Sequence, residues 1–218
     1  WGHANIIPLD VDTKKARGGA PSVSGKTAHE LFEEVRKIQE PHILQVNHPR
    51  AGITGYFDQM GFDAKTGVGL KVGYDSGFDA IEVWNGRDPN ARERVFADYL
   101  ALLRTSHPVT PTADTDTHGI VAQEPGLPRT YVRVEKDDAL DAWDNARTHD
   151  LVNGVNLRRD VVLTNGPFLR VSANGAPIGG IAKPKGRKVT VSVHVECAPW
   201  VEVKSVKLVR ASEPDGPL

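Results

Sequence analysis

The chain has 218 residues, of which 25% are charged and 39% are hydrophobic, and its formal net charge is -1 at pH 7. This is the composition of a globular protein with one or two domains, and the near-neutral charge gives no electrostatic reason to expect a nucleic acid or an anionic membrane surface as partner. No apolar run approaches the roughly 20 residues of a membrane span, and the single Cys197 excludes an internal disulfide and a cysteine-based zinc site.

The first part of the chain predicts alternating strands and helices. The clearest helical segment has apolar residues at helical spacing and opens with a capping box formed by Thr27 and Glu30. A Gly-rich stretch at residues 51–77 follows neither period, which predicts an ordered loop near a site or a mobile lid. A second helix is expected to begin at Asp88, with Pro89 in its first turn.

The order of these elements predicts the fold class. Strands and helices that alternate along the chain are typical of a mainly parallel α/β arrangement. The predicted elements are, in order, strand GHANIIPL, helix TAHELFEEVRKIQE, strand HILQV, strand DAIEVWNG, the helix from Asp88, strand HPVTPTAD, strand RTYVRV and the acidic helix DDALDAWDNAR.

The sequence pattern changes near residue 160. Valines at every second position of VTVSVHVE alternate with polar residues, which is typical of an antiparallel sheet with one solvent-facing side. WVEVKSVKLVR continues this pattern, with a change of parity near Ser205 that predicts a bulge. We therefore predict two domains, an α/β domain at residues 1–155 and an antiparallel β-rich module at residues 156–218.

Two histidines lie where function collects in parallel α/β folds. His48 and His118 each follow the last apolar residue of a predicted strand, at its carboxyl end. Asp116 lies two residues before His118, so a carboxylate and an imidazole point the same way in an extended segment. Mixed nitrogen and oxygen ligation suits zinc, manganese or iron better than calcium or magnesium. A solvated Asp/Thr loop with a chance histidine is the structural alternative, and the tripeptide alone leaves both open.

Further polar residues near strand ends are candidates for supporting roles. Asp114 points the same way as Asp116 and is expected to orient a ligand or a bound water. Arg50 and Arg129 are candidates for binding a substrate anion, because a guanidinium fork matches a phosphate; a surface salt bridge is the alternative. Asn85 and Asn165 are candidates for orienting ligands or substrate, with turn formation as the equal alternative.

A nucleotide-binding function has little support. Residues 20–27, APSVSGKT, fit a loose phosphate-loop pattern. However, the preceding strand ends about ten residues earlier, Pro21 removes a backbone donor, and Thr27 is better used as a helix cap. The sequence also contains no Gly-x-Ser-x-Gly elbow of the kind that serine hydrolases use.

Six blocks of the chain together resemble one known family. They are GHANIIPL, QVNHPRAG, FDAIEVWNG, TADTDTHG, LPRTYVRV and VVLTNGPFLRVSANG. In this order they resemble the carbaryl-hydrolase-like branch of the polymerase and histidinol phosphatase (PHP) metallohydrolases, over nearly the whole chain. The resemblance implies a distorted (β/α)7 barrel whose strand ends hold two or three divalent metal ions, followed by a β-rich extension.

The resemblance also implies a ligand set. His3, His48, Asp116 and His118 match metal ligands of the family, whereas Asp114 stands where relatives often carry Asn. The family's first ligands, in a His-x-His strand and two later blocks, have no counterpart here. We therefore expect residues 1–155 to be the carboxyl-terminal part of such a barrel, with the missing ligands on an upstream segment or on a separate chain.

The function expected from this sequence is metal-dependent hydrolysis. The substrate class is a small-molecule phosphoester, carboxyl ester or carbamate, attacked by metal-activated water, with zinc, manganese or iron as cofactor. Asp114 and Arg50 are the expected catalytic residues beside the metal ligands. The alternative is a catalytically incompetent module that lacks the upstream ligands. The sequence leaves the cellular compartment open.

Overall fold

The structure is a computed structural model, which describes residues 1–9, 11–38, 41–86, 89–105, 107–121, 123–135, 137 and 145–211, with only the backbone of residues 89–91 and 145. Its helices are α1 (Ala28–Val35), α2 (Tyr56–Met60), α3 (Pro89–Leu102) and α4 (Asn145–Asn153). Its strands are β1 (Ala4–Ile7), β2 (Ile43–Val46), β3 (Phe62–Asp63), β4 (Val68–Gly69), β5 (Ala80–Asn85), β6 (Thr110–Asp114), β7 (Arg129–Val132), β8 (Val161–Thr164), β9 (Phe168–Ala173), β10 (Ala176–Pro177) and β11 (Val191–Glu196).

A four-stranded sheet organises the first part of the molecule. Its strand order is β1-β2-β5-β6, in which β2, β5 and β6 run parallel and β1 pairs antiparallel with β2. All four residues of β2 are buried, as expected of a strand covered on both faces. Because parallel strands end at the same edge, this sheet brings the segments that follow β2, β5 and β6 together.

Helix α1 forms as its sequence predicts. Its buried face consists of Ala28, Leu31, Phe32 and Val35. The capping box is present, with the Thr27 side chain accepting from the Glu30 N–H and the Glu30 side chain accepting from the Thr27 N–H. The helix packs on the main core, which contains Leu44, Val46 and Ile81 from the sheet and a group of aromatic residues: Tyr56, Phe57, Phe62 and Phe78.

The Gly-rich stretch at residues 51–77 is ordered. It contains a 3-10 turn at Gly52–Thr54, helix α2 and the β3-β4 hairpin. Tyr56 and Phe57 of α2 are fully buried, so this segment contributes directly to the core. The buried side chains of Tyr56 and Phe57 attach this aperiodic stretch to the core.

The later part of the chain forms antiparallel pairs. Strand β8 pairs with β7, and β9 lies between β10 and β11 in a three-stranded sheet. The strand predicted in WVEVKSVKLVR is wrong, because residues 201–211 belong to no strand. Their alternation has no neighbouring strand to pair with among the described residues, and alternation alone does not form a sheet.

The predicted α/β class is confirmed, whereas the predicted barrel is not tested by these sheets. The protein is a mixed α/β protein with parallel strands in one sheet and antiparallel strands in several others. The described residues form no closed barrel, and the division at residue 155 stays a prediction. Most of the predicted helix DDALDAWDNAR lies outside the described residues. Within the described part, no helix has the length and apolar character needed to cross a membrane.

Candidate metal centre

A cleft of about 820 Å³ opens at the carboxyl ends of the parallel strands. Five of the residues that the sequence singled out line it: His3, His48, Asn85, Asp116 and His118. Apolar residues also line the cleft, among them Trp1, Val23 and Leu31. The fold therefore brings together side chains that lie up to 115 positions apart, from His3 to His118.

The imidazoles of His3 and His48 are in direct contact. His3 Nδ1 lies 3.1 Å from His48 Nε2, and the ring centroids are 4.9 Å apart. Backbone hydrogen bonds hold His3, whose N–H donates to Thr54 and whose carbonyl accepts from Asn47. The preceding residue, Gly2, packs closely against the backbone of Tyr56. A Cβ at this position would lie 2.8 Å from the Tyr56 nitrogen, so only glycine fits here.

Asp116 and His118 form the second pair. His118 Nε2 lies 2.9 Å from Asp116 Oδ1, and Asn85 Nδ2 donates to Asp116 Oδ2 at 3.2 Å. Partial burial acts to raise the pKa of Asp116, but the hydrogen bonds from Asn85 and His118 outweigh it and lower that pKa. Asp116 is therefore a carboxylate at neutral pH, which is the form that binds a cation.

Both pairs place potential ligand atoms close together. Two ligand atoms arranged tetrahedrally on one zinc ion at about 2.0–2.2 Å lie roughly 3.3–3.6 Å apart, whereas the two pairs are in hydrogen-bond contact at 3.1 and 2.9 Å, so each pair would open by a few tenths of an ångström to bind an ion. In addition, Nδ1 of His48 is buried without a hydrogen-bond partner among the described residues. Buried polar atoms are normally satisfied, so this nitrogen is a position that a bound group could satisfy.

Two of these residues have uncommon backbone conformations. The φ angle is +27° at His48 and +49° at Asp116, a region that costs a non-glycine residue on the order of 1–3 kcal/mol. Such conformations persist only where the surrounding structure holds them, and they are frequent at functional sites. Both strained positions belong to the predicted ligand set.

Sequence reasoning missed Glu82, which lies directly beneath the cleft. This β5 residue is 2% exposed, and its carboxylate accepts hydrogen bonds from the His48 N–H and, at 2.8 Å, from Asn85 Nδ2. Burial is the main reason that its pKa rises from 4.5 to about 7, and the charges of Asp114 and Asp116 act in the same direction. The available signal was an acidic residue inside the otherwise apolar strand AIEVW.

Asp114 lies below the cleft and does not line it. Its Oδ2 accepts from Gln45 Nε2 at 2.8 Å and from the Thr112 hydroxyl at 3.3 Å. Burial raises its pKa, although both hydrogen bonds oppose the rise. Gln45 Nε2 also donates to Asn47, which does line the cleft. This position suits the predicted role of orienting neighbours, and it gives Asp114 no direct access to a substrate in the cleft.

Arg50 is engaged in the interior of the protein. Its guanidinium makes a bidentate pair with Asp98, at 2.7 Å on both branches, and also contacts Asp58 and the Phe62 carbonyl. The Arg50 side chain is 16% exposed and that of Asp98 is 3% exposed. Both branches of the guanidinium are engaged, so they are not available to a substrate phosphate, and the geometry favours the salt-bridge alternative for Arg50.

Arg129 and Asn165 are not among the residues that line the cleft. The Arg129 guanidinium donates to the Tyr131 hydroxyl and the Gly126 carbonyl, and it lies 5.3 Å from the Tyr131 ring centroid. Asn165 is exposed in the turn between β8 and β9. Contacts of Arg129 and Asn165 with a substrate stay predictions. The position of Asn165 between two strands suits the alternative that it forms a turn.

A second group of potential ligands lies on the α1 side of the molecule. Ligand atoms of His29, Glu33 and Asp75 are within 4.8 Å of one another. The guanidinium of Arg36, however, contacts both carboxylates. Arginine is always charged, and its positive charge occupies the position that a cation would need. This group is therefore better described as an ion-pair network between α1 and the loop before β5.

The phosphate-loop alternative gains no support from the geometry. Lys26 pairs with Glu34 of α1, and Thr27 is occupied as the helix cap. The lysine and hydroxyl that would contact a nucleotide and its magnesium thus have structural partners.

No family model, curated protein or solved structure matches the chain. The resemblance to PHP metallohydrolases therefore stays a prediction that rests on the six sequence blocks.

Proposed function

We propose that this protein is a metal-dependent hydrolase of the PHP class that acts on a small-molecule phosphoester, carboxyl ester or carbamate. The observation that carries the proposal is the convergence of His3, His48, Asp116 and His118 on one cleft. Three separate segments of the chain provide them. They form two contacting pairs, His3 with His48 at 3.1 Å and Asp116 with His118 at 2.9 Å, and both pairs line the same cleft.

The proposal extends to the fold. The sheet β1-β2-β5-β6 would be part of a distorted (β/α)7 barrel. The parallel run of β2, β5 and β6 supports this extension, because barrels of this kind collect their ligands at the carboxyl ends of parallel strands.

Zinc, manganese or iron held in this cleft by the His3–His48 pair or the Asp116–His118 pair would lower the pKa of a water molecule and polarise the carbonyl or phosphoryl oxygen of an ester. The chain's own residues prepare the cleft for this chemistry. Asp116 stays ionised, and Asn85 holds one of its oxygens and leaves the other toward His118. The apolar lining residues Trp1, Val23 and Leu31 would contact the uncharged part of a substrate.

Metal binding is the decisive test. We expect the chelator-treated 218-residue protein to take up zinc or cobalt in a stoichiometric amount, measured by elemental analysis and calorimetric titration. His48→Ala and His118→Ala should each weaken binding by at least about 100-fold, because each removes one ligand of a small set. His194→Ala is the matched control, since this histidine lies on β11 with its side chain 69% exposed. Equal affinity in all four proteins would refute the proposed site.

Turnover separates the enzyme from the incompetent module. The metal-loaded 218-residue protein is assayed with an aryl phosphate, an aryl ester and an aryl carbamate. Metal-dependent turnover that is lost in His48→Ala and kept in His194→Ala would support the hydrolase. Metal binding without turnover of any of the three would favour the binding-module alternative.

A further inference from the structure

We propose that Glu82 is a positioning residue that fixes the two halves of the candidate metal centre relative to each other. The inference rests on the proposed function for the identity of the ligand, but its geometry stands on the contacts of Glu82 alone. Nothing in the sequence pattern assigned a role to this residue.

The carboxylate of Glu82 is bonded on both sides. Its Oε2 accepts from the backbone N–H of His48, and its Oε1 accepts from Asn85 Nδ2 at 2.8 Å. The same Asn85 nitrogen donates to Asp116 Oδ2 at 3.2 Å. One buried carboxylate therefore connects the His3–His48 pair with the Asp116–His118 pair.

The location of Glu82 makes a purely structural explanation insufficient. Its neighbours Ile81 and Val83 are buried and apolar, as is typical of a covered strand. A carboxylate in such a place costs free energy that an aliphatic residue would avoid. The hydrogen bonds it gains come from His48 and Asn85, which both line the cleft. His48 has a positive φ angle, and so does Asp116, to which Asn85 donates in turn. Glu82 thus holds the strained His48 directly and acts on Asp116 through Asn85.

The chemistry of the two donors explains why a carboxylate is needed. A carboxylate accepts at both oxygens, whereas an amide accepts at one oxygen and donates at its nitrogen. In Glu82→Gln, either the His48 N–H or the Asn85 amide would face the new NH2 group. The variant keeps the size of the side chain and removes one of the two connections.

The test uses the full 218-residue chain with zinc or cobalt as the probe. We expect Glu82→Gln to lower metal affinity by about 10- to 100-fold, the usual effect of losing a residue that orients a ligand. The cobalt absorption spectrum should change in shape, which a merely less stable protein would not show. Asp79→Asn is the matched control, because Asp79 precedes the same strand and accepts from the Leu44 N–H of β2, away from the cleft.

A metal-free measurement keeps this inference separate from the proposed function. In nuclear magnetic resonance spectra of the chelator-treated protein, the wild type and Asp79→Asn should show a proton contact between the His3 and His48 rings. Glu82→Gln should lose it. Asn85→Ala leaves the carboxylate in place and should disturb only the Asp116–His118 resonances, which provides a second variant if Glu82→Gln does not fold.

The outcomes are distinguishable. A wild type that binds no metal refutes the proposed function, and the ring contact then decides the role of Glu82 alone. Wild-type affinity and an intact ring contact in Glu82→Gln would overturn the inference. Equal losses in Glu82→Gln and Asp79→Asn would overturn it as well, because they would indicate general destabilisation.

Discussion

The guanidinium of Arg50 connects three segments of the chain in the interior. It pairs with Asp98 on α3 and Asp58 on α2, and it donates to the Phe62 carbonyl on β3. It also lies within 6 Å of the Phe57 and Phe62 ring centroids. Burial raises the pKa of Asp98 and the pair with Arg50 opposes the rise. Arg50 and Asp98 therefore stabilise each other's charged form in the interior.

Replacing Arg50 by methionine should destabilise the protein by about 3–5 kcal/mol, because it leaves the Asp98 charge buried without a partner. The measurement is the free energy of unfolding in urea. The double variant Arg50→Met/Asp98→Leu should recover a large part of the loss, since it removes the orphaned charge as well. A loss below about 1 kcal/mol in the single variant would contradict this assignment.

The raised pKa of Glu82 predicts a pH dependence of stability. The group titrates near 4.5 when unfolded and near 7 when folded. The folded state therefore binds more protons in this range, and stability falls as the pH rises through about 7. At about 1.36 kcal/mol per pH unit, the contribution lost is at most about 3 kcal/mol.

Urea unfolding in the presence of a chelator, at about pH 5 and about pH 8, measures this effect. The wild type should lose more stability between the two conditions than Glu82→Gln, which does not titrate. Parallel losses in both proteins would mean that Glu82 has an ordinary pKa in the fold.

At the scale of elements, helix α1 shows how local sequence signals and tertiary packing combine. The capping box at Thr27 and Glu30 satisfies N–H groups at the first turn. The buried residues Leu31, Phe32 and Val35 attach the helix to the core. An eight-residue helix is not stable in isolation, so packing supplies most of its stability and the cap fixes where it begins.

Thr27→Ala should lower the free energy of unfolding by about 1 kcal/mol, because it removes the side-chain oxygen that accepts from the Glu30 N–H. Thr27→Ser keeps that oxygen and should stay within about 0.5 kcal/mol of the wild type. Thermal and urea unfolding measure both variants. Equal stability of the alanine and serine variants would show that the cap does not contribute.

Over the whole molecule, buried residues are distributed unevenly. The two core clusters contain residues of α1, β2, β5 and α4. Strands β9, β10 and β11 contain no buried residue. The three-stranded sheet is therefore held by its own hydrogen bonds and by edge contacts such as Tyr131 against Phe168, whose ring centroids are 5.3 Å apart.

Amide hydrogen exchange should reflect this distribution. We expect the amides of β2 and β5 to exchange at the rate of global unfolding and those of β9 and β11 to exchange at least about tenfold faster, by local opening. Mass spectrometry of peptides that cover these strands measures both rates. Equal protection of the two sheets would contradict the prediction and indicate one cooperative unit.

Local pattern was sufficient for most individual elements. The capping signature placed the start of α1, and short apolar runs placed β2, β5 and β6. Local pattern was insufficient for residues 201–211, where alternation predicts a strand that the structure does not form. A strand requires a pairing partner, and no local pattern gives the position of that partner. Local pattern also missed α2, because this short helix lies in an aperiodic stretch and packs through its buried residues Tyr56 and Phe57.

The sequence by itself determined which residue types stand at the strand ends, because parallel strands place function at their carboxyl edge. Only the tertiary structure decided which of them meet. It brought His3, His48, Asp116, His118 and Asn85 to one cleft and left Arg129 and Asn165 off its lining. It also engaged Arg50 with Asp98. The physical reason is that burial and pairing are properties of residues distant in sequence, so a carboxylate such as Glu82 acquires its partners only when the strands assemble.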